Sequence, residues 1–171
     1  VFLRVAQIDK FRESGLELAQ NTMAAKFSNT RQVIRRTLHD NPELREDTEI
    51  QKVLEILTAG IDHLYQAQNT EEIIGIEGYC AQSYFSVFNK LITNKKVPFT
   101  FEFRTKRPPL DPINAVLSFV YTLATSEFAA ALETVGLDSY IGYCHTLRSG
   151  RVSLACDLVE ETRCVVERFV I

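Results

Sequence analysis

One glutamate of this sequence occupies a position where the helical pattern requires an apolar side chain. Residues three and four apart share one face of a helix, and Glu77 has these spacings to Ile73, Ile74, Cys80 and Ala81. A carboxylate on a buried face requires a cation, strong hydrogen bonds or a proton. Two interpretations stay open. Glu77 is a metal ligand, or it forms an ion pair with a buried Lys or Arg, which is the commoner case.

Two glycines flank this glutamate in the same helical segment. Gly75 and Gly78 each lower helix propensity by about 1 kcal/mol relative to alanine. Their presence within four positions predicts that another group approaches the backbone closely beside Glu77.

A second acidic group lies near the end of the chain. Asp157, Glu160 and Glu161 are spaced by three and four residues, so they share one helix face. Acids near a helix N-terminus are also stabilised by the helix dipole, by about 0.3–1 kcal/mol each, and this is the simpler interpretation of the group. Repulsion between the carboxylates would nevertheless be relieved best by a metal ion.

His145 precedes that segment in a predicted loop and is close enough in sequence to reach the acids. An isolated histidine is more often structural than a ligand, but this position favours ligation. Two carboxylates and one imidazole suit Mn²⁺ or Mg²⁺, and three protein ligands leave coordination positions open, as in catalytic sites. The sequence has no H-E-x-x-H motif, which disfavours a thermolysin-like protease.

Helical periodicity extends over almost the whole sequence and predicts an all-α fold that must position these residues. The predicted helices cover about residues 14–39, 48–68, 71–92, 112–135 and 153–171. Local signals mark their ends. These are a capping box at Thr48 and Gln51, an N-cap at Asp111 before a proline, a stop at Gly136 and a cap at Ser153.

The segment 93–111 interrupts the helical pattern. Phe99, Phe101 and Phe103 alternate with polar residues, which predicts a short strand or an extended loop. The segment is also basic, so the predicted fold is a multi-helix domain with one short extended basic excursion.

The net charge of −3 argues against a uniformly basic nucleic-acid-binding protein, so any contact with DNA must come from local patches. Residues 90–107 carry six basic residues and one acidic residue, and a second basic cluster lies at 31–36. The candidate phosphate contacts are Arg31, Arg35, Lys95, Lys96, Arg104, Lys106, Arg107 and Arg148. Each one alone is more often a solvated surface charge, and the clustering is the stronger signal.

The composition is that of a globular protein, because 46% of the 171 residues are hydrophobic and only seven are Gly and five Pro. We predict one domain spanning residues 1–171 and cut at both ends, since the sequence opens without Met and stops within a helical pattern. No apolar run of membrane-spanning length and no signal peptide are recognised, which predicts a soluble, cytoplasmic protein. The four cysteines form no C-x-x-C pair, so buried free thiols are predicted.

Several segments resemble motifs of the CRISPR-associated integrase family, the universal adaptation protein that inserts spacers into CRISPR arrays. They are KFSNTR at 26–31, GIEG at 75–78, RPPLDPINAVLS at 107–118, GLD at 136–138 with His145, and SLACDLVEE at 153–161. The segments run in family order over nearly the whole chain, and several motifs in register are more specific than any one of them. Ser139 departs from the family pattern, which usually has proline there.

The resemblance implies an all-α C-terminal catalytic domain that holds one Mn²⁺ or Mg²⁺. It assigns Glu77, His145 and Glu160 as the metal ligands and catalytic residues, and it places Asp157 beside them. Relatives often have aspartate where this chain has Glu160. Glutamate keeps the carboxylate but lengthens the side chain, so the geometry of the metal ligands is where this chain departs from the family. The resemblance also implies an N-terminal β domain that helps to form the homodimer, and we expect that domain to lie outside residues 1–171.

The implied reaction is strand transfer, in which the 3′-hydroxyl of a prespacer attacks a phosphodiester at the edge of a CRISPR repeat. The implied partners are DNA, a second copy of the full-length protein and the small partner protein of the adaptation complex. Two other functions stay open. One is a non-catalytic helical module that binds DNA or a partner, and the other is a helical metal-binding regulator.

Overall fold

The computed structural model describes residues 2–93, 99–145 and 148–171. Within these ranges the chain forms five α-helices, one short 3-10 helix and no strand. They are α1 (Phe2–Asp40), the 3-10 helix (Pro42–Leu44), α2 (Thr48–Gln66), α3 (Thr70–Leu91), α4 (Pro112–Thr134) and α5 (Ser153–Arg168). The predicted all-α fold is confirmed.

The helix α1 is the element around which the others pack. It contacts α2, α3 and α5, whereas α4 packs mainly against α5. Its side chains Met23, Phe27 and Ile34 are almost fully buried in the main core, together with Leu57 of α2 and Phe88 of α3. Each such side chain contributes roughly 1.5–3 kcal/mol on burial, so this core fixes how α1 and α3 face each other.

The helix α1 begins about one dozen residues before the predicted start. Its first turns lack an apolar stripe, and Phe2 is 94% exposed, so hydrophobic periodicity could not detect them. Polar contacts hold this part instead. The amide of Gln7 donates hydrogen bonds to the backbone carbonyls of Asp138 and Ile141, at 2.9 and 3.0 Å.

Two of the predicted helix ends are confirmed and two are displaced by one residue. Asp111 caps α4 by accepting a hydrogen bond from the backbone N–H of Asn114, and Gly136 follows α4 with a φ of +83°. The cap of α2 is Asp47 and not Thr48, because the Asp47 carboxylate accepts the first free N–H groups. Ser153 is the first helical residue of α5 and not its cap.

The extended excursion is anchored by one aromatic side chain. Phe101 is buried, and its ring lies 5.8 Å from that of Phe85 and 5.0 Å from that of Phe88. Phe99 and Phe103 are exposed, so the predicted alternation is present in an irregular segment. Residues 94–98 of the excursion lie outside the described residues.

The helix α4 is apolar and largely exposed. By length and composition it could cross a membrane, so the expectation that no such segment exists was wrong for this helix. Apolar core helices of soluble proteins pass the same test. Within α4, Ile113, Asn114, Leu117 and Leu132 are buried.

Candidate metal centre

Two of the three predicted metal ligands meet on one lysine. The Lys26 ammonium of α1 donates to Oε1 of Glu77 on α3 and to Oε2 of Glu160 on α5, at 2.5 Å each. Because both oxygens lie at that distance from one nitrogen, they cannot be further apart than twice that distance. We call this arrangement the Lys26 bridge, and it joins three helices.

In this structure Glu77 forms an ion pair, which is one of the two interpretations left open for it. The carboxylate is paired with a buried lysine, since Lys26 is only 8% exposed. Sequence reasoning missed Lys26, although a signal existed. It lies three residues after Met23 and four before Thr30, on the buried stripe of α1, where a charge is as anomalous as Glu77 is on α3.

Glu160 is held by two cations. Its Oε1 accepts a hydrogen bond from Arg163 at 2.8 Å, while its Oε2 faces Lys26. Burial by itself would raise the pKa of Glu160, but Lys26 and Arg163 lower it to about 2. Burial likewise opposes the charge on Lys26, but Glu160 and Glu77 outweigh it and raise the pKa of the ammonium. Glu160 and Lys26 are therefore both charged near neutral pH.

Arg163 is fixed from its other side by an aromatic ring. Its guanidinium carbon lies 4.3 Å from the ring centroid of Tyr121, a distance suited to a cation–π interaction. The Tyr121 hydroxyl donates to the buried carboxylate of Glu167 at 2.5 Å. Arg163 is thus held between a carboxylate and a ring, with little freedom to leave Glu160.

His145 is oriented by a fully buried aspartate. Asp157 Oδ2 accepts from the backbone N–H groups of Tyr143 and Cys144, at 2.8 and 3.1 Å. Its Oδ1 accepts from the backbone N–H of His145 and lies 2.6 Å from Nδ1 of the same residue. A carboxylate has about four acceptor positions, so Asp157 has none left for a metal. With the proton on Nδ1, Nε2 of His145 is the nitrogen available for ligation.

A glycine allows the loop to close on Asp157. A Cβ at Gly142 would lie 2.5 Å from Asp157 Oδ2 and 2.9 Å from the carbonyl carbon of Ser153. Only glycine therefore fits this position. The prediction for Gly75 and Gly78 was wrong for the described residues, because a Cβ at either position would meet no atom within 4 Å.

The predicted ligand set converges only in part. Within the described ranges, the ligand atoms of Cys144, His145 and Asp157 lie within 4.8 Å of one another, whereas Glu77, His145 and Glu160 do not form a group in which all three ligand atoms are that close. The first group is no metal centre, since Asp157 is saturated and burial, followed by Asp157, raises the pKa of the Cys144 thiol to about 12. The second set has the donors that a hard divalent cation prefers, and the Lys26 ammonium already occupies a cation position between its carboxylates.

A cavity of about 590 Å³ opens beside Glu77 and Lys26. Lys106 and Arg163 supply positive charge to its wall, and Phe85 supplies an aromatic surface. Burial, and then repulsion from Arg163, lowers the pKa of Lys106. Cationic groups combined with aromatic faces are typical of surfaces that bind single-stranded nucleic acid.

The residues predicted to contact phosphate differ in their exposure to solvent. Arg35, Arg107 and Arg148 are exposed and Arg31 is half-buried, whereas Lys95 and Lys96 lie outside the described residues.

Arg104, another predicted phosphate contact, has a structural role. Its guanidinium donates to the Asn114 side chain at 2.7 Å and to Ser118 at 3.1 Å. Asn114 therefore has a structural role, since its side chain also accepts from the backbone N–H of Thr105 and donates to the carbonyl of Phe103. Tyr84 is buried in the main core.

Comparison with known proteins identifies the family that this chain matches. The family model described as CRISPR associated protein Cas1 matches residues 1–171. The chain is 41% identical over 165 residues to the CRISPR-associated endonuclease Cas1 of Leptospira interrogans serogroup Icterohaemorrhagiae serovar Lai. The aligned residues make up 96% of this chain and 64% of that protein.

Two solved structures extend the comparison. A casposase bound to integration product superposes with a TM-score of 0.78 at 30% identity, covering 96% of this chain and 44% of the casposase chain. A Cas6-RT-Cas1–Cas2 complex matches with a TM-score of 0.77 at 28% identity, covering 91% of this chain and 16% of that one. The chain therefore spans less than two thirds of the length of each of these relatives.

Proposed function

The chain belongs to the CRISPR-associated Cas1 family, and we propose that it is the metal-dependent catalytic domain of a DNA integrase and endonuclease of spacer acquisition. The convergence of Glu77 and Glu160 on one cation position is the observation that carries this proposal. The names of the relatives, an endonuclease and a casposase bound to integration product, support the reaction class.

The proposed reaction is a transesterification. The 3′-hydroxyl of a prespacer attacks a phosphodiester of the CRISPR repeat, so that one P–O bond forms, one breaks and the leaving 3′-oxygen takes up a proton. Glu77, Glu160 and Nε2 of His145 would hold one Mn²⁺ or Mg²⁺. That ion, when bound, neutralises the phosphate and stabilises charge on the attacking or leaving oxygen.

The other residues of the site prepare this chemistry. Asp157 holds the His145 ring in one orientation through Nδ1, and Arg163 holds the Glu160 carboxylate. Lys106 brings positive charge into the neighbouring cavity, where a DNA phosphate would be attracted.

The exposed basic residues are proposed to bind the DNA backbone on either side of the site. They are Arg35, Arg107 and Arg148, with Arg31 partly buried and Lys95 and Lys96 in the same basic segment as Arg107. Phosphate contacts of this kind provide affinity and salt dependence but no sequence preference. A second copy of the chain in the longer protein and a small partner protein are proposed partners, supported by the Cas1–Cas2 complex among the similar structures.

The proposal is tested by disintegration of a branched DNA in the presence of Mn²⁺. Glu77→Ala, His145→Ala and Glu160→Ala should each lower the rate by roughly 100-fold or more, because each removes a ligand of the charge-stabilising ion. DNA binding, measured by fluorescence anisotropy, should persist. Glu161→Ala is the matched control, since Glu161 lies next to Glu160 but is exposed. Full activity in any one of the three variants would contradict the role assigned to that residue.

A second candidate function is a helical module that binds DNA or a partner without catalysis. It is favoured by the neutralisation of Glu77 and Glu160 by Lys26. A wild-type chain that binds branched DNA but never cleaves it with Mn²⁺ or Mg²⁺ would support this candidate over the first.

A further inference from the structure

The charges around the Lys26 bridge already balance. Two carboxylates, Glu77 and Glu160, face two cations, Lys26 and Arg163. Glu160 and Lys26 are 7% and 8% exposed, so water screens these charges poorly. A divalent cation added to this set would leave two uncompensated positive charges in a buried place, which is strongly unfavourable.

One of the two cations is able to leave and the other is not. Arg163 is held by Glu160 at 2.8 Å and lies over the Tyr121 ring at 4.3 Å. Lys26 is a compact ammonium on a flexible four-carbon stem, and its side chain already lines the cavity of about 590 Å³ beside Glu77. The cavity provides space into which the ammonium can move.

We infer, on the basis of the proposed function, that Lys26 is a removable counter-ion of the metal centre. Its ammonium holds Glu77 and Glu160 together when no metal is bound, and it leaves the space between them when a divalent cation binds. The released ammonium enters the neighbouring cavity and adds a positive charge beside the site proposed for a DNA phosphate. Lys26 is therefore a positioning residue, which couples metal binding to the charge of the DNA-binding cavity.

This role makes metal binding weaker than the carboxylates alone would allow. An apparent dissociation constant equals the intrinsic one divided by the fraction of molecules that are competent to bind. If Lys26 occupies the bridge in at least nine molecules of ten, removing it should tighten metal binding about tenfold or more.

The first experiment measures Mn²⁺ affinity from the electron paramagnetic resonance signal of free Mn²⁺. Lys26→Met should bind Mn²⁺ about tenfold or more tightly than the wild type, and Glu77→Gln should bind it far more weakly. The matched control is Lys90→Met. The Lys90 ammonium also pairs with two carboxylates, Asp47 and Glu49, at 2.8 and 2.9 Å, but at the surface. We call this arrangement the Lys90 bridge, and its loss should leave Mn²⁺ affinity unchanged.

The outcomes separate this inference from the proposed function. If Lys26 were only a structural support, Lys26→Met would bind Mn²⁺ equally or more weakly, because the carboxylates would move apart. That result, together with binding that still depends on Glu77, would overturn the inference and leave the metal centre intact. Absence of Mn²⁺ binding in the wild type and in Lys26→Met, or binding that Glu77→Gln does not alter, would overturn both.

A second experiment needs no substitution and covers the case in which Lys26→Met does not fold. Brief acylation of the wild-type chain with an N-hydroxysuccinimide ester is followed by quantitative peptide mass spectrometry, without and with Mn²⁺. Labelling of Lys26 should rise several-fold when Mn²⁺ is bound, whereas labelling of Lys90 should stay constant. Equal labelling of Lys26 under both conditions would overturn the inference, since the ammonium would not have left the bridge.

Discussion

The Lys26 bridge and the Lys90 bridge use the same three charges in different surroundings. In the first, the side chains of Lys26, Glu77 and Glu160 are 10%, 23% and 9% exposed. In the Lys90 bridge, the side chain of Lys90 is 37% exposed. Water and salt screen the surface charges, so an exposed pair stabilises little. Removing one partner of a buried pair leaves a charge that nothing compensates.

The two bridges also differ in how far apart their two carboxylates lie along the chain. Asp47 and Glu49 lie two residues apart at the start of α2. Asp47 also caps this helix, and that role does not depend on Lys90. The Lys26 bridge instead joins α1, α3 and α5, so its geometry depends on the core between these helices. Burial, and carboxylates brought together from two different helices, allow a lysine to control a metal position. An exposed bridge whose two carboxylates lie at the start of one helix cannot do this.

The largest expected difference between the bridges is in stability without metal. Lys26→Met leaves Glu77 and Glu160 facing each other, and we expect the free energy of unfolding to fall by about 3–5 kcal/mol. Lys90→Met should leave the urea midpoint unchanged within error, because both carboxylates there reach water. Equal losses in the two variants, measured by urea denaturation with EDTA present, would remove burial as the explanation of the difference.

The next largest difference concerns pH. The pKa of Glu160 is about 2 in the folded protein, below its ordinary value of 4.5. A lowered carboxyl pKa contributes stability that is fully present above the ordinary pKa and is lost as the pH falls towards the folded value. We expect a loss on the order of 3 kcal/mol between pH 5 and pH 2 in the wild type, and a flatter profile in Glu160→Gln.

The Lys90 bridge provides the comparison for that profile. The hydrogen bond from Lys90 is the main cause that lowers the pKa of Asp47, but this carboxylate is near the surface. Asp47→Asn should therefore retain most of the wild-type pH dependence. An Asp47→Asn profile as flat as that of Glu160→Gln would show that acid sensitivity does not come from the buried bridge.

The helices could be predicted from the sequence because helical periodicity and caps are local. Asp111 and Gly136 act where their residue types predicted. The first turns of α1 could not be predicted in the same way. Gln7 is held there by carbonyls more than 130 residues away in the chain, and no local pattern contains that contact.

The candidate site was predictable up to the point at which helices must meet. Glu77 was recognisable as an acid on an apolar stripe, and Glu160 as one of three acids on one helix face. Lys26 obeys the same rule on α1, but long lysine side chains often extend from apolar surfaces to solvent, so the position alone is ambiguous. Which of these charges share a bridge depends on the packing of α1, α3 and α5, which residue spacing does not encode.

A smaller effect separates the two roles of Asp47 within the Lys90 bridge. Its Oδ1 accepts from the backbone N–H groups of Glu49 and Ile50, at 3.0 and 3.1 Å, while its Oδ2 faces Lys90. Asp47→Ala loses the cap and should destabilise the protein by about 1 kcal/mol. Asp47→Asn keeps an acceptor oxygen and should cost much less. Equal losses in thermal denaturation would show that the ion pair, and not the cap, is what α2 requires.

The smallest expected effect is the response of each bridge to salt. The coupling energy of each pair is obtained from a double-mutant cycle, with Lys26→Met and Glu160→Gln for one bridge and Lys90→Met and Asp47→Asn for the other. The Debye length falls to about 3 Å in 1 M salt, which screens exposed charges but affects buried ones much less. The Lys90–Asp47 coupling should therefore vanish in 1 M NaCl, whereas the Lys26–Glu160 coupling should persist. Equal salt sensitivity would mean that water reaches both bridges, and the metal position would then be open to solvent even while Lys26 occupies it.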